Sequence, residues 1–441
     1  MPERAARARL LCRALCLLLV GCAGAARAQT QGPPAEARPR LKREFGSSLE
    51  RLRWDAEQKR AVEVAPAGAG AGADAEDEVV RVETSLVVCD VLVLSAKGSP
   101  VAGLRREDFA VTEDGKPQEV GMFSPGDSAN VPRSIVLVID YSGSMAPFIE
   151  NSVEAAETLV KQLGPRDRMA LVTDDVELLA DFTDDKKLLR KKLEELKQRR
   201  TSSALPSYAR FGRSRQYSAL MATLRELFGA EDTRPIVILQ TDGDELAELR
   251  DSPVPPYKSS QPPPPLPPGY SPERLKKARA RVEAMRQSFS IADVFREAER
   301  SRATIYAVIP GVRFIGLKPG EEQEKRQALR SAFQRDATFW GAERESLFEH
   351  TARVTPQMQT ALYALAKLTG GWTSFLEEPS QAAGIYANIF ADIGQRYVVG
   401  FYPTNKERDG KRRRVQIEVR GHPEYTVWGR KSYYAPGPLE K

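Results

Sequence analysis

The sequence predicts an α/β fold, a doubly wound and mostly parallel sheet with helices on both faces, preceded by a small β-sandwich-like module and followed by a β-rich tail. From residue 134 onward, short apolar runs alternate with amphipathic helical patterns, which is typical of βαβ units. On either side, strand-like segments are broken by the turn signals Asp114-Gly115 and Asp409-Gly410. A chain of 441 residues is also too long for one ordinary core, which favours additional modules.

The first 28 residues have the pattern of an export signal. Three arginines precede an apolar stretch at 10–20, which is too short to span a membrane as a permanent helix. Two processing sites follow. Ala26-Arg27-Ala28 fits A-x-A cleavage, whereas Leu-Val-Gly before Cys22 resembles a bacterial lipobox. We therefore expect a periplasmic or secreted protein, or an outer-membrane lipoprotein whose only membrane contact is the lipid on Cys22.

Net charge gives no reason to expect a polyanionic partner. The formal charge of +6 falls to +2 without residues 1–28, because 61 basic and 59 acidic residues remain. No nucleic-acid partner is expected from this balance. Three of the four cysteines lie in the same N-terminal segment, so Cys89 alone stays in the folded part and no intramolecular disulfide is predicted.

Residues 29–78 are predicted to be a flexible tether. They are rich in glycine, alanine, proline and acidic residues, and such segments bury too little apolar surface to offset the entropy of ordering. Within them, Leu41, Phe45, Leu49 and Leu52 recur at roughly helical spacing. We expect a short amphipathic helix there, lying loose rather than docked on the body.

The remaining chain divides into three predicted parts. Residues 79–130 form the small β-rich module, residues 131–396 the α/β domain, and residues 397–441 the β-rich tail. Two insertions interrupt the α/β domain. The first, at 251–286, is proline-rich and ends in a basic helical pattern, and the second, at 315–355, is highly charged. A solvated surface is the expected role of both insertions.

The apolar run "SIVLVID" at 134–140 ends in an aspartate, and Ser142 and Ser144 follow in a tight turn. A phosphate-binding loop would need G-x-x-x-x-G-K-[ST], which is not present here. A nucleophile elbow would need G-x-S-x-G and a histidine base. The two histidines of the chain occur in a charged insertion and a surface turn. A metal-binding loop is therefore the remaining interpretation.

A second apolar run has the same kind of ending. "PIVILQTDGD" places Asp242 after a buried strand, and adjacent parallel strands would bring it beside Asp140. Carboxylate and hydroxyl oxygens suit a hard cation such as Mg²⁺, which prefers octahedral oxygen coordination. Asp140, Ser142, Ser144 and Asp242 are the predicted ligands. The alternative is that Asp140 only caps its own loop by accepting backbone N–H groups.

"VLVIDYSGSM" together with "VILQTDGD" resembles the von Willebrand factor type A domain and its metal-ion-dependent adhesion site. Over 79–436 the chain is similar to the VWFA-related Acidobacterial domain family. The resemblance implies a binding module, in which two serine hydroxyls and a threonine hydroxyl bind the metal directly and the aspartates act directly or through water. An acidic side chain of the partner completes the coordination. Ser142 and Ser144 match the serines, and Asp140 and Asp242 the aspartates.

The threonine of the resembling site has two candidates in this sequence. Thr201 has the expected side chain, whereas Ser214 has the expected place immediately before a helix and is the favoured ligand. The expected function is that of an exported, non-enzymatic adhesion or scaffold protein that uses Mg²⁺, or Mn²⁺ or Ca²⁺, to bind a carboxylate of a protein partner. A structural envelope-assembly protein with a vestigial metal site is the alternative. A metal-assisted hydrolase is a third possibility, for which no base is evident.

Overall fold

The computed structural model describes residues 44–64, 86–125, 132–142, 145, 149–202, 214–229, 234–255, 273, 288–335 and 344–437. The predicted export signal at 1–28 and the proposed lipid site at Cys22 lie outside these ranges. So do most of the proline-rich and basic insertion at 251–286 and residues 29–43 and 65–78 of the predicted tether.

The strands are β1 (Leu52–Asp55), β2 (Arg60–Glu63), β3 (Val87–Leu94), β4 (Phe109–Glu113), β5 (Lys116–Gln118), β6 (Val120–Ser124), β7 (Arg133–Ile139), β8 (Arg168–Thr173), β9 (Leu178–Thr183), β10 (Arg234–Gln240), β11 (Thr304–Pro310), β12 (Thr373–Leu376), β13 (Tyr397–Phe401), β14 (Arg412–Val419), β15 (Thr426–Trp428) and β16 (Ser432–Tyr434). The helices are α1 (Ser47–Glu50), α2 (Ile149–Gln162), α3 (Lys186–Ser202), α4 (Gln216–Ala222), α5 (Ile291–Arg300), α6 (Glu321–Arg335), α7 (Arg344–Leu368) and α8 (Ala382–Gln395). A π-helical turn, Thr223–Leu227, continues α4, and a 3₁₀ turn, Asp244–Glu248, follows β10.

The central sheet has the strand order β12-β11-β10-β7-β8-β9. Its neighbouring strands are parallel, except that β9 runs antiparallel to β8. Side chains alternate between the two faces, as the pleat requires. In β7, Val136 and Val138 pack with α4, α5 and α7, whereas Ile135, Leu137 and Ile139 pack with α2, α3 and α8. The predicted doubly wound α/β fold is thus confirmed.

The strand order places a crevice at one end of this sheet. The chain leaves β7 toward β8 on one side, and β10 then pairs with β7 on the other side. In a doubly wound sheet, the crevice outside the carboxyl ends of the strands at such a reversal is where ligands bind. The polar residues that follow β7 and β10 therefore lie side by side.

The two β-rich segments are joined in space. Among the described strands, β15-β3-β13-β6 form one sheet and β16-β14-β4-β5 another, so each sheet takes strands from both ends of the chain. The two sheets share one apolar core, in which the Phe109 ring lies 5.3 Å from that of Tyr397 and 5.6 Å from that of Phe123. The predicted β-rich module at 79–130 and the predicted β-rich tail at 397–441 thus supply strands to the same two sheets. Each β-rich segment alone would expose unpaired strand edges. Pairing between the strands of the two segments covers these edges.

This β-sandwich, formed by β3–β6 and β13–β16, packs where the central strands begin. Arg234, the first residue of β10, donates to Asp90 of β3 at 3.0 Å and to the Ile393 carbonyl at 2.9 Å. Arg430 donates to the carbonyl oxygens of Glu299 at 2.6 Å and Ala303 at 3.3 Å, around the end of α5. The sandwich is therefore attached at the end of the sheet opposite the crevice.

Residues 44–64 are docked on the body, so the expectation of a loose helix in the tether is wrong for this segment. Leu49 is buried in the core on the α4 side of the central sheet. The Glu226 carboxylate accepts hydrogen bonds from the backbone N–H groups of Gly46 and Ser48, at 2.8 Å each. Apolar burial and these two hydrogen bonds together offset the cost of ordering the segment.

The charged insertion at 315–355 contributes α6 and the first part of α7. These helices pack on each other, with the Arg330 guanidinium 4.4 Å above the Phe348 ring. Arg330 also pairs with Glu345 at 2.8 Å and Glu349 at 3.4 Å. Within the described ranges, no helix has both the length and the apolar character needed to cross a bilayer.

Candidate metal site

Asp140 lies at the centre of the crevice. It directly follows β7, and its backbone N–H donates to the carbonyl of Gln240, the last residue of β10, at 3.0 Å. The strands β7 and β10 are in register with Ile139 opposite Gln240, so both strands end at the same level. Asp140 is fully buried. The strand pairing therefore places a buried carboxylate between two loops.

Three described chain segments donate hydrogen bonds to the Asp140 carboxylate. The N–H of Ser142 donates to Oδ1 at 2.9 Å, while Thr241 Oγ1 and Ser214 Oγ donate to Oδ2 at 2.7 and 3.0 Å. Burial raises the pKa of Asp140 above its usual range, and these hydrogen bonds, with one from the Ser142 side chain, oppose that shift. A bound cation would favour the ionised form further.

Two further carboxylates lie beside Asp140. One oxygen each from Asp140, Asp242 and Asp244 lie within 4.8 Å of one another. Gly243 turns the chain between the two outer aspartates with a φ of 84°, and a Cβ there would come within 3.1 Å of the Leu362 side chain. Like charges at this spacing repel each other, so a divalent cation would stabilise the cluster.

The structure brings together several of the sequence-predicted ligands. Asp140, Ser142 and Asp242 surround the crevice, and Ser214 reaches it from the residues before α4. Ser144 lies outside the described residues. Of the two candidates for the remaining hydroxyl ligand, Ser214 contacts Asp140, whereas Thr201 belongs to the last turn of α3 and its side chain is not among those described.

Asp244, Thr241, Gln216 and Glu245 belong to this site but are not among the ligands that the sequence predicts. Thr241 donates to Asp140, and its position between an apolar strand and Asp242 was an available signal. Gln216 and Glu245 are buried polar residues behind the crevice. In the sequence, each of these two is only a polar residue beside apolar ones. Such a pattern does not indicate which loop the side chain contacts.

The donor set fits a hard divalent cation. Its oxygens come from carboxylates and hydroxyls, which Mg²⁺, Mn²⁺ and Ca²⁺ prefer, whereas softer metals favour thiolate or imidazole. The residues that would hold the ion are Asp140, Ser142, Ser214, Asp242 and Asp244. The only cysteine in the described residues, Cys89, is buried in the core of the β-sandwich.

Comparison with known proteins identifies the region around the site. Residues 135–245 match the model of the von Willebrand factor type A domain. No curated protein sequence matches the chain significantly.

The solved structures that match this chain share little sequence identity with it. Proximal thread matrix protein 1 of the mussel byssus, solved with a zinc-occupied MIDAS motif, is 13% identical with a TM-score of 0.30, over 59% of this chain. This chain covers only 48% of that mussel protein. BatB from Bacteroides thetaiotaomicron is 11% identical with a TM-score of 0.31, over 59% of this chain and 98% of BatB. The vWF domain of the type V pili tip protein Mfa5 from Porphyromonas gingivalis is 15% identical with a TM-score of 0.30, over 60% of this chain and 95% of that domain.

On the strength of the family match, residues 135–245 are a von Willebrand factor type A domain.

Proposed function

We propose that this protein is an exported, non-enzymatic binding protein that holds a divalent cation beside Asp140 and uses it to bind a carboxylate of a protein partner. One observation carries the proposal. A fully buried aspartate accepts hydrogen bonds from hydroxyls of two separate loops, Ser214 and Thr241, while Asp242 and Asp244 place two more carboxylates within reach. Such a convergence of oxygens is what a hard cation requires.

The hydrogen bonds of Asp140 favour this use of the hydroxyls. Ser214 donates its only hydroxyl proton to Asp140, so toward any other group its oxygen acts as an acceptor, which is the role that a metal ligand needs. Mg²⁺ keeps several waters when few protein ligands bind it. A carboxylate of the partner would replace one of these waters, and the charge-assisted contact would be strong because the crevice is partly shielded from solvent.

The placement of the two histidines supports a binding role over hydrolysis. The His350 ring nitrogen contacts Arg353 at 3.2 Å, within α7. His422 contacts Glu424 at 2.9 Å and stacks on Tyr425 in the β-sandwich. The partners of both imidazoles belong to α7 and the β-sandwich, so neither histidine is placed as the general base that a His-dependent hydrolase would need beside Asp140.

The position of the β-sandwich supports presentation of the site to a partner. Arg234, at the start of β10, anchors the sandwich, and β10 spans seven residues, or about 20 Å, before the crevice. The sandwich therefore leaves the cation end of the domain uncovered. Export itself rests on the N-terminal signal pattern, and the narrower resemblance to the VWFA-related Acidobacterial family stays an expectation.

One observation favours the alternative, a structural envelope protein with a vestigial metal site. Asp140 has three good hydrogen-bond donors of its own, from Ser142, Ser214 and Thr241, so its loop can stand without a cation. The two functions differ in one measurable property, which is the affinity for a divalent ion.

Calorimetric titration with Mn²⁺ and Mg²⁺ tests the proposal. The wild-type protein should bind one ion, and Asp140→Ala should lose that binding while keeping the far-ultraviolet circular dichroism of the folded domain. Asp184→Ala, which removes an exposed aspartate before α3, is the matched control and should bind like the wild type. A pull-down from envelope extract with and without EDTA then tests the partner. Partner binding that persists in EDTA would contradict the cation-mediated function.

A further inference from the structure

We propose that Gln216 and Glu245 form a reciprocal clamp, which fixes Ser214 relative to residues 242–244. The second loop of the site, which enters α4 through Ser214, and the third loop, residues 241–245 after β10, then move as one unit. The role of the clamp in cation binding rests on the proposed function. The clamp itself rests on hydrogen bonds between buried groups of the two loops. Neither residue contacts the cation in this scheme, so both are positioning residues.

The Gln216 side of the clamp runs from the second loop to the third. Gln216 is the first residue of α4 and is fully buried. Its Oε1 accepts from the backbone N–H groups of Asp244 and Glu245, at 2.9 Å each, and its Nε2 donates to Ser214 Oγ. The two backbone N–H groups can only donate, so they determine which end of the amide faces them. One side chain thereby connects Ser214 to the backbone of the third loop.

The Glu245 side runs in the opposite direction. Its carboxylate, also buried, accepts from the backbone N–H groups of Tyr217 at 2.5 Å and Ser218 at 3.0 Å. It further accepts from the Ser218 hydroxyl at 2.6 Å. A buried carboxylate is costly unless its oxygens are hydrogen-bonded, and here the start of α4 supplies the donors. Each loop therefore uses a side chain to hold the backbone of the other.

The clamp bears directly on the geometry of Ser214. Its hydroxyl donates to Asp140 and accepts from Gln216, so these two hydrogen bonds fix the orientation of the Ser214 oxygen. A branched Cβ, as in threonine, restricts rotation about χ1, and serine lacks that restriction. Gln216 supplies by hydrogen bonding the constraint that a methyl group would supply sterically. A ligand fixed before binding loses less conformational entropy when the ion arrives.

The experiment compares Gln216→Ala, Gln216→Ala combined with Ser214→Thr, and the wild type. Mn²⁺ affinity is measured by calorimetry, and the number of bound waters by Tb³⁺ luminescence lifetimes in H₂O and D₂O. Gln216→Ala should weaken Mn²⁺ binding at least tenfold, as loss of outer-shell partners does elsewhere, and should add about one water to bound Tb³⁺. The added threonine should recover most of the affinity and remove the extra water.

Gln118→Ala is the matched control. Gln118 is also a buried glutamine that holds a neighbouring loop, because its Oε1 accepts from Thr404 N–H at 2.9 Å and its Nε2 donates to Thr404 Oγ1 at 3.0 Å. It lies in the β-sandwich, at the far end of the central sheet. Its loss should lower the free energy of unfolding without changing Mn²⁺ affinity or the water count. Equal effects of both substitutions on Mn²⁺ affinity would overturn the positioning role.

Amide hydrogen exchange of the metal-free protein separates this inference from the proposed function. Gln216→Ala should speed exchange both at 214–222 and at 243–248, since the clamp couples them. Glu245→Gln should do the same. Acceleration in only one of the two segments would overturn the clamp. If the wild type bound neither Mn²⁺ nor Tb³⁺, the proposed function would fail, and this exchange measurement would still decide whether the clamp exists.

Discussion

The Oγ atom of Ser214 lies 3.0 Å from Oδ2 of Asp140, although 74 residues separate them in the sequence. Asp140 follows the central strand β7, and Ser214 lies two residues before α4. Both residues are buried, so the contact is part of the interior of the domain. The hydroxyl of a loop residue is thus held at the point where the two central strands of the sheet end.

Replacing Ser214 should distinguish the two candidates for the hydroxyl ligand of the second loop. We expect Ser214→Ala to weaken Mn²⁺ binding about 10- to 100-fold, because it removes a ligand oxygen and leaves Asp140 with one donor fewer. Ser214→Thr keeps the hydroxyl and should retain binding. Calorimetric titration measures both. Thr201→Ala is the control, and a loss of affinity in that variant instead would transfer the ligand role to Thr201.

The paired strand ends could be predicted from the sequence because each carries its own signal. The runs ending at Asp140 and Asp242 are continuously apolar, as strands buried on both faces are, and parallel strands end at the same edge. Two such endings therefore had to lie close together. Gln216 and Glu245 could not be placed in the same way, because their contacts depend on how two loops pack and no periodic pattern reports that.

The strand pairing of the β-sandwich could not be predicted because the paired strands are distant in sequence. In β3 and β13, Cys89 lies opposite Val399, about 300 residues away. An apolar, β-branched pattern indicates a strand but does not indicate its partner. The same limit explains the error at residues 44–64. Their apolar spacing indicated a helix, whereas the structure has the four-residue helix α1 followed by the hairpin of β1 and β2.

Truncating Leu49 should destabilise the whole domain. Leu49 is only 1% exposed and packs in the core beneath α4, so Leu49→Ala should lower the free energy of unfolding by about 2–5 kcal/mol. Urea denaturation followed by circular dichroism measures the change. Leu188→Ala is the matched control, since Leu188 is 39% exposed, and it should change the same free energy by less than about 0.5 kcal/mol. Equal values for the two variants would mean that residues 44–64 are not integral to the fold.

Removing only one partner of the buried ion pair between Arg234 and Asp90 should lower the free energy of unfolding more than removing both charges. Their atoms are 3.0 Å apart, and the side chains are 3% and 8% exposed. Arg234→Met leaves the Asp90 carboxylate without its cation, and we expect a loss of about 3–5 kcal/mol in the free energy of unfolding. Adding Asp90→Asn should restore a large part of it, because the uncompensated charge is then gone. A double variant less stable than Arg234→Met would argue against this origin of the loss.

Acidification should loosen α6 through Glu377. Burial alone would raise the pKa of Glu377, but hydrogen bonds from Lys325 of α6 at 2.7 Å and from the Arg313 N–H at 3.1 Å, with the positive charges of both, hold it below the ordinary value of 4.5. A carboxyl with a lowered pKa in the folded state contributes stability above its unfolded-state pKa. That contribution is lost as the pH falls through the folded-state pKa.

The resulting prediction is a pH-dependent protection of α6 against hydrogen exchange. Protection factors corrected for the intrinsic exchange rate should be constant from pH 7 to 5 and fall as the pH drops below 4.5 toward 3. Glu377→Gln should have the lower protection already at pH 7, with a weaker dependence on pH. The control Glu322→Gln changes an exposed carboxylate of the same helix and should keep the wild-type profile. If Glu377→Gln also kept that profile, contacts other than the Lys325 pair, such as those of Arg330 with Glu345, would have to hold α6 in place.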